Sequence, residues 1–193
     1  MSRLIMATNN AGKVKELRAI LGSFYDEVVS LKEAGVDLQV EEDGETFEEN
    51  AVKKAQAAAI VTGCDVLADD SGLCVDALGG APGVYSARYA GEDATDKQNN
   101  DKLLAALEGV SDRSARFVCT VALVSGDKVT TAYGEVNGEI TLSPSGSGGF
   151  GYDPLFYYPE LGKTFGELSA DVKNGLSHRA RALEALKQLL EHK

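Results

Sequence analysis

Apolar and polar positions follow two different periods along this chain of 193 residues. An apolar run at residues 4–7 predicts a buried strand, and helical spacing of apolar residues over 14–21 follows it until Gly22. The order of strand, polar turn and helix is typical of an α/β unit. Similar apolar runs predict short strands at residues 28–29, 66–68, 117–124, 129–136 and 155–158.

Capping signals indicate where the later helices begin. Thr46 is followed three residues later by Glu49, and Thr95 by Gln98, which is the spacing of a capping box. The pattern therefore predicts helices at residues 46–62, at 95–109, after Ser169 and at 181–191. The turn at 125–127 indicates a hairpin. We expect an α/β fold with a mixed sheet and flanking helices, forming a single domain over residues 1–193.

The charge balance narrows the range of partners. Thirty acidic residues against 19 basic ones give a formal net charge of −11. Because affinity for a phosphate backbone comes from massed Lys and Arg, this balance argues against a general nucleic-acid binder. It does not exclude a small anionic ligand, since a local cationic pocket can exist in an acidic protein.

The cysteines and the N-terminus bear on the compartment. Cys64, Cys74 and Cys119 form no paired motif, so we expect reduced thiols. The apolar run at 4–7 is too short for a signal sequence or a membrane span. We therefore expect a cytoplasmic protein that does not bind membranes.

The polar turn at residues 8–13, TNNAGK, is the first candidate site. It lies between a strand and a helix, where backbone N–H groups attract phosphate and Lys13 would add positive charge. An ordinary turn with a solvated lysine explains the same residues equally well.

Two acidic segments are the second candidate. The strand at 66–68 is expected to end in Asp69-Asp70-Ser71-Gly72, and ligands in α/β proteins gather beyond strand ends. A carboxylate there can bind Mg²⁺ or act as a base towards water, although Asp is also frequent in simple turns. The other acidic segment, 41–43, precedes a helix, and such acids often only favour the helix dipole; the functional alternative is a second metal ligand. That helix carries Lys53 and Lys54, of which only one can face a given site.

Two later segments could bind a flat polar group. Residues 145–154 read SGSGGFGYDP, in which Phe150 can stack on a base and Asp153 can accept a hydrogen bond from one. A flexible surface loop is the alternative interpretation. Ser177-His178-Arg179 begins the last helix, where cations are unfavourable unless an anion or an acceptor is near.

Taken together, these segments resemble the inosine/xanthosine triphosphate pyrophosphatase family, also described as Ham1-like. The resemblance is carried, in order along nearly the whole chain, by TNNAGK (8–13), TFEENAVKK (46–54), LADDSGL (67–73), GGAPGVYSARYAG (79–91), GGFGYDP (148–154) and SHR (177–179). It implies two lobes around an elongated mixed sheet with the active site in a central cleft. It also implies a homodimer and Mg²⁺-dependent cleavage of XTP, ITP and dITP to the monophosphate and pyrophosphate.

The resemblance also implies roles for individual residues. Asp70 would be the general base and a metal ligand together with Glu41, with Glu42 and Asp69 nearby. Lys13 and Lys54 would contact the triphosphate, helped by the rest of the first turn and by one serine: Thr8, Asn9, Asn10, Ala11, Gly12 and Ser71. The base pocket would be formed by Phe150, Gly151, Tyr152, Asp153, Lys173, Ser177, His178 and Arg179.

Donors such as Arg179, His178 or Lys173 would match the 6-oxygen of hypoxanthine and xanthine and oppose the amino group of adenine. Two alternatives stay open at this point. One is a pyrophosphatase for other modified or standard nucleotides, and the other is a nucleotide-binding protein without catalysis.

Overall fold

The computed structural model describes residues 2–8 and 11–191, and Asn9 and Asn10 of the first candidate turn lie outside these ranges. The described residues form a mixed α/β fold with one seven-stranded sheet. Its strands are β1 (Arg3–Met6), β2 (Glu27–Ser30), β3 (Asp65–Val75), β4 (Ser114–Ser125), β5 (Lys128–Ile140), β6 (Phe156–Tyr158) and β7 (Lys163–Thr164). The α-helices are α1 (Ala11–Leu21), α2 (Phe47–Thr62), α3 (Asp96–Ala106), α4 (Ala170–Leu176) and α5 (His178–Glu191). Short 3₁₀ helices occupy Asp76–Leu78, Gly83–Arg88 and Phe165–Glu167.

The sheet has the strand order β2-β1-β3-β4-β5-β6-β7. Strand β1 runs parallel to both of its neighbours, whereas β6 runs antiparallel to β5 and β7. Parallel strands need crossover connections, and here α1 joins β1 to β2 while α2 joins β2 to β3. The predicted fold class, a mixed sheet with flanking helices, is confirmed.

The chain divides into two compact units, of which the first contains 1–70, 119–134 and 179–193. Successive residues of its strands point to opposite faces of the sheet, so they contribute alternately to two apolar cores. Met6 and Leu67 pack with residues of α1 and α5. Ile5 and Ala68 pack instead with the buried alanines of α2. Helices therefore cover both faces of the sheet in this unit.

The second unit contains 71–118 and 135–178 and has a core of its own. Phe117, Phe156 and Phe165 form its aromatic centre, with the rings of Phe117 and Phe156 only 4.4 Å apart between centroids. Leu103 and Leu107, at the end of α3, are fully buried against this cluster. The aromatic pairs add to the stabilisation that burial of apolar area provides.

The capping predictions are confirmed. Thr46 and Glu49 form a reciprocal capping box at the start of α2, and Thr95 and Gln98 form one at the start of α3. Ser169 caps α4 by accepting from a backbone N–H. The hairpin prediction is also confirmed, since β4 and β5 are neighbours separated by two residues.

The predicted end of the third strand at Asp69 is wrong. Strand β3 continues through Asp69, Asp70, Ser71 and Gly72 to Val75, and both aspartates are buried within it. Two adjacent acids indicate a turn only when they are solvated. Here cationic and amide side chains from other elements compensate their burial.

Two further expectations concern the cysteines and membranes. Cys64, Cys74 and Cys119 are all thiols rather than disulfides, as expected. None of the described helices has both the length and the apolar character needed to cross a bilayer.

Candidate active site

Asp69 lies at the centre of a buried ion cluster in the first unit. Lys13, in the first turn of α1, places its Nζ 2.9 Å from Oδ2 of Asp69, and Nε of Arg179 donates to the same oxygen at 3.2 Å. The side chains of Asp69 and Arg179 are each only 1% exposed. Burial alone would raise the pKa of Asp69, but the charges of Lys13, Arg179 and Lys54 lower it well below its usual range. Asp69 therefore favours its charged form and pairs with two cations.

Asp70 faces the other side of the sheet, towards α2. Its Oδ2 accepts a hydrogen bond from Nδ2 of Asn50 at 3.0 Å, and its Oδ1 lies 3.9 Å from Nζ of Lys54. Lys54 also pairs with Glu42 at 3.2 Å. Residues 50 and 54 are four apart, so one face of α2 presents both side chains to Asp70. Lys53 pairs with Asp43 instead, which confirms that only one of the two lysines faces this group.

The two adjacent aspartates differ in their affinity for a proton. Burial, the largest effect, raises the pKa of Asp70 to about 6, and the charge of Glu42 adds to this, while Lys54 and Asn50 act in the opposite direction. A general base works best when its pKa is close to the working pH. Asp70 is thus suited to exchange a proton, whereas Asp69 is suited only to hold charge.

Asn50 belongs to this group although it is not among the site residues predicted from the sequence. Its Oδ1 accepts from the backbone N–H of Gly44 at 2.8 Å while its Nδ2 donates to Asp70. It therefore ties the acidic segment to the aspartate on β3. Its only signal in the sequence is an asparagine inside a helix, four residues after the cap, where this residue type is not favoured.

A cavity of about 190 Å³ opens beside these residues. Thr8, Lys13, Glu42, Lys54 and Asp69 are among the side chains that line it. Ligand pockets for whole drug-sized molecules measure roughly 300–1,000 Å³, so this cavity fits a part of a nucleotide. Because Lys13 and Lys54 line it, and phosphate is the negatively charged part of a nucleotide, the cavity suits the phosphate part.

The acidic side chains fit a hard divalent cation. Asp70 and Glu42 share Lys54, and Glu41, the predicted metal ligand, is the exposed neighbour of Glu42. Within residues 2–8 and 11–191, no group of three or more potential ligands comes together. Mg²⁺ is commonly held by one or two carboxylates together with substrate phosphates, and the carboxylates present match that donor type.

The predicted base-pocket residues form a second group, in the second unit. Asp153 is buried, and its Oδ2 accepts from Nζ of Lys173 at 2.5 Å and from the backbone N–H of Phe150 at 2.9 Å. Nζ of Lys173 lies 4.7 Å from the centre of the Phe150 ring, and Phe150 is 42% exposed. A side chain at Gly149, where φ is +74°, would overlap the Asp153 carboxylate. The loop thus presents one accessible aromatic ring above a buried ion pair.

Other residues of this group are buried. His178 stacks on Phe117 with 4.9 Å between ring centroids, and Ser177 precedes it with an extended backbone. The hydroxyl of Tyr152 donates to the carbonyl of Ser86 at 2.7 Å, and burial raises the pKa of Tyr152. Tyr152 therefore fixes the loop to the 3₁₀ helix at Gly83–Arg88, and its buried ring is not accessible to a ligand.

The structure divides the predicted site residues between the two units. Lys13, Glu41, Lys54, Asp69 and Asp70 belong to the first. Ser71, residues 145–154 (the Phe150 loop), Lys173, Ser177 and His178 belong to the second. Arg179 was predicted with the base pocket, but its Nε contacts Asp69 in the first unit.

Comparison with known proteins decides the family. The model of the Ham1 family matches residues 4–189. The chain belongs to the Ham1 family. It is 55% identical to the dITP/XTP pyrophosphatase of Geobacter sulfurreducens, with 98% of this chain and 97% of that protein covered. It is 51% identical to the dITP/XTP pyrophosphatase of Clostridium perfringens, with 99% and 98% covered.

The fold comparison agrees with this membership. A solved HAM1 protein from Coxiella burnetii superimposes with a TM-score of 0.91 at 43% identity, and all of both chains is covered. The predicted resemblance is thus confirmed for the family and for the mixed α/β fold. Membership of the family does not by itself assign individual residues to a substrate.

Proposed function

We propose that this Ham1 protein hydrolyses XTP, ITP and dITP to the nucleoside monophosphate and pyrophosphate. The observation that carries the proposal is the match, over nearly full length, to relatives named dITP/XTP pyrophosphatase. The geometry of the first unit supports it, because the buried carboxylate of Asp69, Glu42 and two lysines line one small cavity, and Asp70 lies beside Lys54. We also propose that the enzyme is cytoplasmic, because its cysteines are free thiols, as is usual in a reducing compartment.

The proposed chemistry begins with a water molecule at the α-phosphorus. Asp70 accepts a proton from this water, and the hydrogen bond from Asn50 keeps the carboxylate in position. Lys13 and Lys54 offset the negative charge that develops on the leaving pyrophosphate. Mg²⁺, held by Asp70 and by Glu41 or Glu42, would supply Lewis-acid neutralisation of the phosphate oxygens. Thr8, Ser71 and the backbone that opens α1 complete the proposed phosphate contacts.

The residues around Phe150 supply the proposed base recognition. Phe150 stacks on the purine, and Lys173 and His178 provide donors for a 6-oxygen, with Asp153 holding Lys173 in place. Arg179 belongs to this set in the family resemblance, and its contact with Asp69 gives it a second role as a structural cation. A buried donor that finds an amino group instead of an oxygen is left unpaired, and this gives large selectivity against adenine.

A panel of triphosphates with product identification tests the proposal. With Mg²⁺ present, XTP, ITP and dITP should yield monophosphate and pyrophosphate at kcat/KM values at least about 10² above that for ATP. Faster turnover of a modified pyrimidine or a standard nucleotide would support the alternative substrate class. Release of diphosphate and orthophosphate would refute the reaction, and tight binding without turnover would indicate a binding protein.

Two variants complete the same experiment. Asp70→Asn keeps the shape of the side chain but removes the proton acceptor, so kcat should fall by about 10² or more. Asp127→Asn is the matched control, because Asp127 is exposed in the β4–β5 turn of the same unit. Near-normal turnover by Asp70→Asn would remove Asp70 from its proposed role.

The homodimer implied by the resemblance is also part of this proposal. Sedimentation equilibrium should give a mass of about 41 kDa, twice the 20.4 kDa of one chain. A mass of one chain at micromolar concentration would contradict it.

A further inference from the structure

Two side chains of α3 hold both polar backbone groups of Gly151, the residue after Phe150. Oδ2 of Asp96 accepts a hydrogen bond from the N–H of Gly151 at 2.8 Å. Nδ2 of Asn100 donates to the carbonyl of Gly151 at 3.1 Å. Asp96 and Asn100 are four residues apart, so they project from one face of the helix. The backbone of this loop residue is thus bound through both its donor and its acceptor.

The backbone around Phe150 is consequently fixed at consecutive residues. The N–H of Phe150 itself donates to Asp153, and the next N–H and carbonyl bond to Asp96 and Asn100. Gly151 has a φ of +60°, a conformation that a residue with a side chain rarely adopts. Phe150 is nevertheless 42% exposed. An exposed aromatic ring on a tightly held backbone is preorganised to receive a flat ligand.

Asn100 makes one side-chain hydrogen bond among the described residues, the bond to Gly151. Its side chain is buried, and its Oδ1 has no hydrogen-bond partner among the described residues. Burying an amide with one unsatisfied atom costs stability, so an apolar residue would pack there at lower cost. The neighbouring Asn99 bonds to Ala87 and Ala90 instead and leaves the loop to Asn100.

We infer that Asp96 and Asn100 are positioning residues for the Phe150 loop, which fix Gly151 and thereby orient the Phe150 ring against the purine. The inference rests on the proposed function, since it assigns how the residues proposed for base recognition are held. Neither residue touches the substrate in this scheme. Their removal should therefore weaken base binding and selectivity rather than the chemical step.

The absence of tryptophan from the sequence allows a direct test of loop order. In Phe150→Trp the introduced indole is the only one in the chain, and its fluorescence reports on the loop itself. In that background Asn100→Asp, which replaces the donor with a carboxylate facing a carbonyl, should raise acrylamide quenching of the indole by about twofold or more. Asp96→Ala should act in the same direction, and Asp96→Asn should restore low quenching because its Oδ1 can still accept. Asp101→Ala is the matched control, since Asp101 is exposed on the same helix and pairs with Lys97.

Steady-state kinetics with the native Phe150 provide the second measurement. Asn100→Asp should raise KM for ITP about tenfold and lower the ITP-to-ATP preference, while kcat stays within about twofold of the wild type. Unchanged indole quenching and unchanged KM in folded Asn100→Asp would overturn the inference. A lower kcat together with a lower melting temperature, while quenching of the indole stays unchanged, would also overturn the inference, because it would show a purely structural role. If the wild type hydrolyses no triphosphate, the proposed function fails, and the quenching series still decides whether these residues hold the loop.

Discussion

Asp69 is a buried charge whose main expected effect is on stability, whereas its neighbour Asp70 is the proposed general base. Its carboxylate is buried between Lys13 and Arg179, and a buried charge that loses its partner is strongly destabilising. Asp69→Asn leaves both cations without their anion, and we expect the free energy of unfolding to fall by about 3–5 kcal/mol. Urea denaturation followed by circular dichroism measures this change.

A surface pair provides the control for Asp69. Asp101 and Lys97 form an exposed ion pair on α3, and exposed pairs contribute only about 0–1 kcal/mol. Asp101→Asn should therefore leave the unfolding midpoint almost unchanged. Equal destabilisation by Asp69→Asn and Asp101→Asn would show that the buried cluster contributes no more than the surface pair.

The sequence predicted which residues belong to the site better than it predicted which side chains those residues contact. Asp69 and Asp70 were both predicted as site residues, and because they alternate along β3, Asp69 contacts α1 and α5 while Asp70 contacts α2. The contact between Asp69 and Arg179 could not be predicted, because it joins residues 110 apart in the chain. Asn50 was missed because its role depends on a strand that follows it.

Among the elements, α2 connects fold and site most directly. Its N-terminal cap, Thr46, lies four residues before Asn50 and eight before Lys54, so one helical face carries the cap and both contacts of Asp70. Thr46→Ala removes the side-chain acceptor for the N–H of Glu49, and we expect a loss of about 1 kcal/mol in the free energy of unfolding.

The other half of the capping box supplies the comparison for Thr46. Oε2 of Glu49 accepts from the N–H groups of Glu45 and Thr46, and a glutamine keeps that acceptor. Glu49→Gln should thus unfold within about 0.5 kcal/mol of the wild type, and Glu49→Ala should resemble Thr46→Ala. Chemical denaturation of all three variants measures their free energies of unfolding. If Glu49→Gln were the least stable of them, the proposed role of the capping box would be wrong.

Elements set by local signals were predicted, and those set by distant contacts were not. The starts of α2 and α3 follow from capping pairs that lie within four residues of each other. The length of β3 depends instead on Lys13, Lys54 and Arg179, which make burial of two acids tolerable. A strand that contains adjacent aspartates therefore cannot be recognised until its partners are placed.

The whole molecule carries a net charge of −11, and its proposed site does not reverse that charge locally. Lys13 and Arg179 are paired with Asp69, Lys54 with Glu42 and Asp70, and Lys173 with Asp153. A triphosphate that enters such a site meets cations whose charge is already balanced by carboxylates. In the proposed mechanism the additional positive charge would arrive with the substrate, as Mg²⁺ bound to its phosphates.

Chelation tests this charge argument. With EDTA in excess, hydrolysis of ITP should fall by at least about 10², and Mg²⁺ in excess over the chelator should restore it. The melting temperature should stay the same, because the proposed metal is held by few carboxylates together with phosphates of the substrate and is not a structural ion. A parallel fall in melting temperature would indicate a metal that supports the fold. Full activity in EDTA would show that the paired lysines neutralise the leaving pyrophosphate without a metal.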